Sequence, residues 1–139
     1  MPNATTGAVI YRKNNNTLEI LLTKRNIPPF KNYWCLPGGH IEEYEPAVEA
    51  IMREVKEETN LDFIPRFLCY LDEIFTDIDL HNVVLMFYGN ATGTFKADPV
   101  EVQDIRWFRL EDGLQMKLAF EHEKALKVFS ERIQDSPGK

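Results

Sequence analysis

Two apolar stretches open the chain, Thr5–Arg12 (TTGAVIYR) and Thr17–Arg25 (TLEILLTKR), both rich in β-branched and aliphatic residues. The polar KNNN quartet between them supplies turn-forming residues, so the pair predicts a β-hairpin. Asn26–Trp34, with two prolines, reads as a loop, and WCLPGG as a short strand entering a glycine-rich turn. From Pro46 to Thr59 the pattern changes to a helical period. With Glu54 set at zero and about 100° per residue, Val48, Ile51, Met52 and Val55 gather between about 60° and about 160°, which predicts the buried stripe. Pro46 suits the first helical position, and Asn60 the left-handed residue just past the last. Asp62–Asp77 and His81–Gly93 read as two more strands, and a further strand is expected near Ile105–Arg109. Met116–Ile133 reads as a second amphipathic helix, with Leu118, Leu126, Phe129 and Ile133 at helical spacings. The order β-β-(β)-α-β-β-β-α predicts the α/β class, as an α/β/α sandwich with a mixed sheet between helices. Residues 1–133 are expected to form one domain and 134–139 a flexible tail.

Composition changes this picture little. The 139 residues are 44% hydrophobic and 27% charged, which suits one globular domain. The net charge of −6 matters more. It argues against a protein that holds polyphosphate backbones by basic patches alone, so no nucleic-acid partner is expected. An acidic chain still binds phosphates when metal ions lie between them and its carboxylates. Cys35 and Cys69 sit in apolar stretches and make no disulfide framework; they read as buried, reduced thiols. The N-terminus lacks a basic segment followed by an apolar one, and no apolar run approaches the roughly 20 residues of a membrane span. A soluble, cytoplasmic protein, monomer or homodimer, is the expectation, and the Asn-x-Thr triplets at Asn3, Asn15 and Asn90 read as chance matches.

The carboxylates of the first helix carry the chemistry. On the same wheel Glu57 falls at about −60° and Glu58 at about 40°, with Ala47 and Ala50 within about 40° of zero. A solvated helix face interleaves charge signs at i,i+4. Glu49–Arg53 and Arg53–Glu57 do so, whereas Glu54 and Glu58 are like charges one turn apart, without a cationic neighbour at helical spacing. Close carboxylates raise each other's pKa unless a cation sits between them. Hard cations such as Mg²⁺ take carboxylate and phosphate oxygens together. The two glycines of PGG, just upstream, let backbone approach a ligand closely and offer a carbonyl to a metal shell. The competing reading is a plain solvated acidic face.

GGHIEEYEPAVEAIMREVKEETNL resembles the Nudix box, Gly-x5-Glu-x7-Arg-Glu-apolar-x-Glu-Glu-x-Gly-apolar, at Gly39, Glu45, Arg53, Glu54, Val55, Glu57, Glu58 and Leu61. Asn60 replaces the last glycine, and Tyr44 stands where the family commonly has glycine before Glu45. ILLTKR and W-x-LPGG before the box, and Glu101 six residues before Trp107, are similar to the usual Nudix frame. The resemblance implies that Glu54, Glu57 and Glu58, with the Gly38 carbonyl, bind Mg²⁺ or Mn²⁺. It implies that Arg53 orients the glutamates and that Glu45 braces the loop or helps to hold metal. Glu101 is implied as a ligand or general base, the alternative being a loop carboxylate before a strand. Gly39 and His40 follow as residues facing substrate, the alternative for His40 being a surface histidine.

The family cleaves the diphosphate linkage of nucleoside diphosphates joined to another group, so the resemblance implies a nucleotide substrate, a nucleoside monophosphate product and a phosphorylated remainder. LAFEHEKAL, Leu118–Leu126, resembles the LAFDH stretch of the ADP-ribose pyrophosphatase branch, the alternative being an ordinary helix start. Lys24 and Arg25 end a strand near the expected site and are candidates to hold phosphate. Phe30, Tyr33, Phe75 and Phe87 either stack a base or belong to the core. ADP-ribose or a related nucleoside diphosphate sugar is the favoured substrate. A nucleoside triphosphate pyrophosphohydrolase of the sanitising type, acting for example on 8-oxo-dGTP, and a non-catalytic nucleotide-binding module are the alternatives.

Overall fold

The computed structural model describes residues 1–134. Strand β1 (Asn3–Asn14) turns into β2 (Thr17–Arg25), and Asn15 and Asn16 both take positive φ, at 51° and 66°. Two left-handed residues form the tight turn whose twist matches a hairpin, and asparagine tolerates that conformation. Short strands β3 (Trp34–Cys35) and β4 (Gly38–His40) precede helix α1 (Ala47–Thr59). Then come β5 (Asp62–Phe63), β6 (Arg66–Phe75), β7 (Leu80–Gly89), β8 (Ala91–Thr92), β9 (Val102–Arg109), α2 (Leu110–Gly113) and α3 (His122–Gln134).

The main sheet runs β3-β2-β1-β7-β6, with β9 also pairing β2 and β4 also pairing β1. Its one parallel contact joins Asn3–Ile10 of β1 to Asn82–Gly89 of β7, so the sheet is mixed as expected. Side chains alternate across it and supply two cores. Val9, Ile20, Leu22, Val84 and Met86 pack with Leu126 and Phe129 of α3. Their neighbours Ala8, Ile10, Leu21 and Phe87 pack with Ile51 and Val55 of α1. This is the α/β/α sandwich. Among the described residues no helix is long and apolar enough to cross a membrane.

Several boundaries differ from the sequence reading. Asp62–Asp77 is two strands, broken at Ile64–Pro65, where proline brings no N–H to a ladder and Ile64 N–H donates to Asn90 O at 3.0 Å. His81–Gly93 likewise breaks at Asn90. The last helix begins at His122 rather than Met116, because Phe120 takes a left-handed φ of 54° that no helix continues through. The short α2 was not expected. Pro46 is the N-cap of α1, with ψ at 144°, one position before the helix proper. Gln134 still belongs to α3, and the rest of the expected tail lies outside the described residues.

The largest correction concerns the buried face of α1. Val48 and Met52 are 48% and 44% exposed, while Ala50, Ile51, Val55, Glu58 and Thr59 are buried. On the wheel above, the buried residues span about −40° to about 140° with Glu58 near the middle; Met52 falls outside that arc, and Val48 falls within it but lies in the first turn, ahead of the buried residues. The helix rests against the glycine strand β4, so the side carrying carboxylates turns inward.

Candidate active site

Strand β4 lies between β1 and α1, with Thr6 opposite Gly39 and Gly7 opposite Gly38. There is no room for side chains. A β-carbon on Gly38 would fall 2.1 Å from the Thr6 carbonyl oxygen, and one on Gly39 would fall 2.5 Å from the Glu54 carboxylate. Thr6 Oγ1 donates to the Gly39 carbonyl at 3.1 Å, and Gly38 N–H donates to Glu58 Oε1 at 3.3 Å. The glycines therefore let the strand backbone lie against Glu54 and donate an N–H to Glu58.

Glu54 and Glu58 line one cavity of about 350 Å³ together with Gly38, Gly39 and His40. Burial, and then the charge of Glu54, raises the Glu58 pKa well above the carboxylate range. Burial also raises that of Glu54. Two desolvated carboxylates side by side are the arrangement that a cation relieves.

Arg53 ties the surroundings together. Its guanidinium donates to Glu45 at 2.7 and 3.0 Å, to Glu54 at 3.0 Å, to Glu57 at 3.2 Å and to the His40 carbonyl at 3.1 Å. These bonds hold the Glu45 carboxyl down to about 2. One planar fork thus joins the loop after β4 to two turns of α1. Glu54 accordingly has a cationic neighbour, contrary to the helical-spacing argument: adjacent residues on a helix meet when a long side chain curls back.

Glu57 differs from its two partners. Its side chain is 53% exposed, held by Arg53, and it does not line the cavity. Among the described residues, no three His, Cys, Asp or Glu side chains are grouped as a ready cage for an ion. Glu101, the residue before β9, does reach the cavity, and its charge is felt at Glu58. Its carbonyl accepts the Asn26 N–H at 2.9 Å, which pins this rim to the loop after β2. Arg25 lines the cavity beside Thr23, but Lys24, the alternate residue of the strand, does not. Arg25 Nε donates to the Pro29 carbonyl at 2.8 Å, and its guanidinium lies 4.9 Å from the Phe120 ring centroid.

Of the other cavity residues, Phe120 and His122 belong to the LAFEHEKAL stretch, whereas Glu73 and Asn82 were not singled out from the sequence. His122 is buried, accepts the Leu36 N–H on Nδ1 at 3.0 Å, and has its pKa lowered to about 3 by burial. Glu73 and Asn82 face each other across β6 and β7. A Glu and an Asn at inward positions of otherwise apolar strands were the available signal. Cys35 lines the cavity too; its Sγ lies 3.4 Å from Thr23 Oγ1, and burial pushes the thiol up to about 11. Cys35 and Cys69 are both free, the first buried and the second half-buried. Of the four aromatics, Phe87 is core, while Phe30 packs on Tyr33, Phe75 and Phe120 in a cluster beside the cavity.

A family profile described as the NUDIX domain matches residues 1–129. The chain is 35% identical over 124 residues to an ADP-ribose pyrophosphatase from Methanocaldococcus jannaschii, a span covering 86% of this chain and 69% of that protein. It is 28% identical over 143 residues to an ADPR responsive transcriptional repressor from Acinetobacter baylyi, covering 95% of this chain and 54% of the repressor. Its fold also matches the NUDIX domain of Shewanella oneidensis NrtR complexed with ADP ribose, with a TM-score of 0.86 at 28% identity, over 96% of this chain and 89% of that one.

Proposed function

The chain belongs to the Nudix family, and we propose that this hydrolase cleaves the diphosphate linkage of a nucleoside diphosphate derivative, ADP-ribose or a nucleoside diphosphate sugar. The observation that carries this reading is the buried Glu58 and half-buried Glu54 pair set against the Gly38–Gly39 backbone in a cavity that also holds Arg25 and Glu101. The relative named ADP-ribose pyrophosphatase, and the ADP ribose bound by the similar NUDIX domain, favour that substrate.

The donor set fits Mg²⁺ or Mn²⁺: Glu54 and Glu58 offer hard oxygens whose mutual repulsion a divalent ion relieves, and the Gly38 carbonyl and Glu57, the latter held outside the cavity by Arg53, would complete the shell. Such an ion, when bound, neutralises the diphosphate and lowers the pKa of a water. The chain's own residues do the rest. Arg53 fixes the Glu54 and Glu57 carboxylates and, through Glu45 and His40, the loop after β4. Arg25 binds a phosphate oxygen. Glu101, exposed at the rim, accepts the proton of the attacking water. His40 and Gly39 border the diphosphate. The products are a nucleoside monophosphate and a phosphorylated remainder.

Incubation of the purified chain with ADP-ribose, other nucleoside diphosphate sugars and nucleoside triphosphates, with and without Mg²⁺, tests this reading. AMP and a sugar phosphate formed only with the ion are expected. Turnover of triphosphates alone would move the chain to the sanitising class. ADP-ribose bound without turnover would favour a regulatory binding module, the reading that the similarity to a repressor supports.

A further inference from the structure

Strand β9 carries one residue more than its partner. Its pairs with β2 join Thr23 to Ile105, Lys24 to Asp104 and then Arg25 to Val102, so Gln103 is the extra residue of a bulge. A bulge interrupts the regular alternation of a strand and re-aims a side chain. Here the Gln103 side chain reaches across to the loop that follows β2. Its Nε2 donates to the Arg25 carbonyl at 2.9 Å and to Asn32 Oδ1. A carbonyl oxygen only accepts, so the contact with Arg25 fixes which end of the Gln103 amide faces the loop.

That loop aims Arg25 into the cavity. Arg25 Nε donates to the Pro29 carbonyl at 2.8 Å. The Arg25 backbone closes the stem of the same loop, with Arg25 N–H on the Tyr33 carbonyl and Asn32 N–H on the Arg25 carbonyl, each at 2.9 Å. Within the loop, Phe30 and Asn32 take left-handed φ of 63° and 74°. Such conformations cost free energy outside glycine and persist where the surroundings hold them. Tyr33, Phe75 and Phe120 pack around the Phe30 ring. Asn32 is exposed, and the hydrogen bond on its side chain comes from Gln103.

We infer that Gln103 is a positioning residue for Arg25: by bonding to the Arg25 carbonyl and to Asn32 together, it sets the loop whose Pro29 carbonyl orients the guanidinium toward the diphosphate. The inference rests on the nucleotide-substrate reading above. Gln103 is exposed and does not line the cavity, so it acts on a ligand only through the residue it holds. Glu101 has a separate link to the loop. Asn26 N–H donates to the Glu101 carbonyl at 2.9 Å, and Asn26 Nδ2 donates to the Val100 carbonyl at 3.1 Å. Asn26 thus holds the rim at Glu101, and Gln103 holds the loop at Arg25. Removing the Gln103 amide leaves the loop attached and Glu101 in place.

A double-mutant cycle separates positioning from general support, because only residues that act through one another depart from additivity. Gln103→Ala, and Gln103→Met, which keeps the length without a donor, are each made in the wild type, in Arg25→Ala and in Glu101→Gln. Each protein is measured for kcat/KM on ADP-ribose with Mg²⁺, or on a nucleoside triphosphate if only that is turned over. Affinity for the α,β-methylene analogue of ADP-ribose is measured by calorimetry, and a melting curve is recorded. Small misplacements of a binding group cost large factors. Both Gln103 substitutions are expected to lower kcat/KM and affinity about tenfold in the wild type and in Glu101→Gln, but less than twofold in Arg25→Ala. Should Arg25→Ala fail to fold, Arg25→Met, which keeps an aliphatic stem, takes its place.

Equal losses in all three backgrounds would make Gln103 a general support of the fold and overturn the inference. So would a wild-type background in which neither substitution costs activity or affinity, since Arg25 would then aim itself. A loss that disappears in Glu101→Gln instead would assign Gln103 to the rim, and would also overturn it. The two readings fail separately. A chain that binds the analogue without turning over any nucleotide removes the hydrolase reading only, and the cycle is then read on affinity. An active hydrolase with an additive cycle removes this inference only, and a wild type that neither binds nor turns over removes both.

Discussion

Gly39 approaches Glu54 so closely that a β-carbon on the glycine would lie 2.5 Å from the carboxylate carbon. The obstacle is a side chain, so Glu54 would turn aside rather than the backbone part. We expect Gly39→Ala to fold, with a modest fall in melting temperature, and to lose activity by about a hundredfold or more, since small misplacements of catalytic groups cost on that order. A melting curve and a turnover assay on the same preparation check this. Full activity in the alanine variant would mean that Glu54 tolerates displacement and does not hold the ion.

Asn60 and Tyr44 occupy the two positions where the box departs from glycine, and both are left-handed, at φ 67° and 63°. The Asn60 N–H closes α1 onto the Lys56 carbonyl at 2.9 Å. Asn60→Gly should be neutral or slightly stabilising, while Asn60→Val should cost about 1–2 kcal/mol, since a β-branched residue tolerates positive φ poorly. Tyr44 is 96% exposed and has little packing to lose. Tyr44→Gly should stabilise by roughly 0.5–1 kcal/mol, the steric relief offset by glycine's greater unfolded-state entropy. Urea unfolding of the three variants decides. A valine variant as stable as wild type would mean that α1 ends by another device.

Burial holds the His122 pKa at about 3, below its ordinary 6.5. The unfolded chain therefore binds a proton that the folded chain refuses. The stability contributed is complete above pH 6.5 and is lost as pH falls toward 3, with a slope of up to about 1.4 kcal/mol per pH unit. Glu73 and Arg25 also face this ring, and the positive charge of Arg25 lowers its pKa further. His122→Asn should flatten the pH dependence over that window, at some loss of stability near neutrality. Urea midpoints from pH 4 to pH 7 give the comparison, and equal slopes for both proteins would show that His122 does not titrate on unfolding.

Glu58 has the opposite sign. Its pKa is raised, so its contribution is full below the ordinary carboxylate value and is lost as pH rises through the folded value. Without divalent ions, Glu58→Gln should be more stable than wild type at pH 8. Mg²⁺ at a hundred times its dissociation constant should stabilise wild type by about 2.7 kcal/mol and the variant far less. Melting curves in chelator and in excess Mg²⁺ measure both effects. An equal gain from Mg²⁺ in the two proteins would remove Glu58 from the metal site.

Legibility followed the range of each interaction. The β1–β2 turn, the end of α1 at Asn60 and the box spacing depend on neighbours a few residues away, and the residues alone announce them. The face that α1 buries depends on β4, where Gly39 leaves room for Glu54 and Gly38 N–H donates to Glu58. Wheel geometry without that partner placed Val48 and Met52 inside. Arg25 and Lys24 were alike on paper, and only the side on which the strand meets the cavity separates them. Glu73 and Asn82 became a pair through the register of β6 on β7, and Phe120 stopped α3 early by its own backbone conformation. None of these has a local marker strong enough to read in isolation.

Strand β1 changes partner along its length. Tyr11–Asn14 pair with β2 across a two-residue turn, Thr5–Gly7 pair with β4, and Asn3–Ile10 pair with Asn82–Gly89. Contacts within a hairpin close early, and pairings between distant segments close late. The order of assembly follows from this. The cavity depends on the distant pairing, because Asn82 and Val84 line it only once β7 has docked on β1. During synthesis, a chain that has emerged only as far as Asp79 carries every residue of the box and still lacks the floor on which a ligand rests.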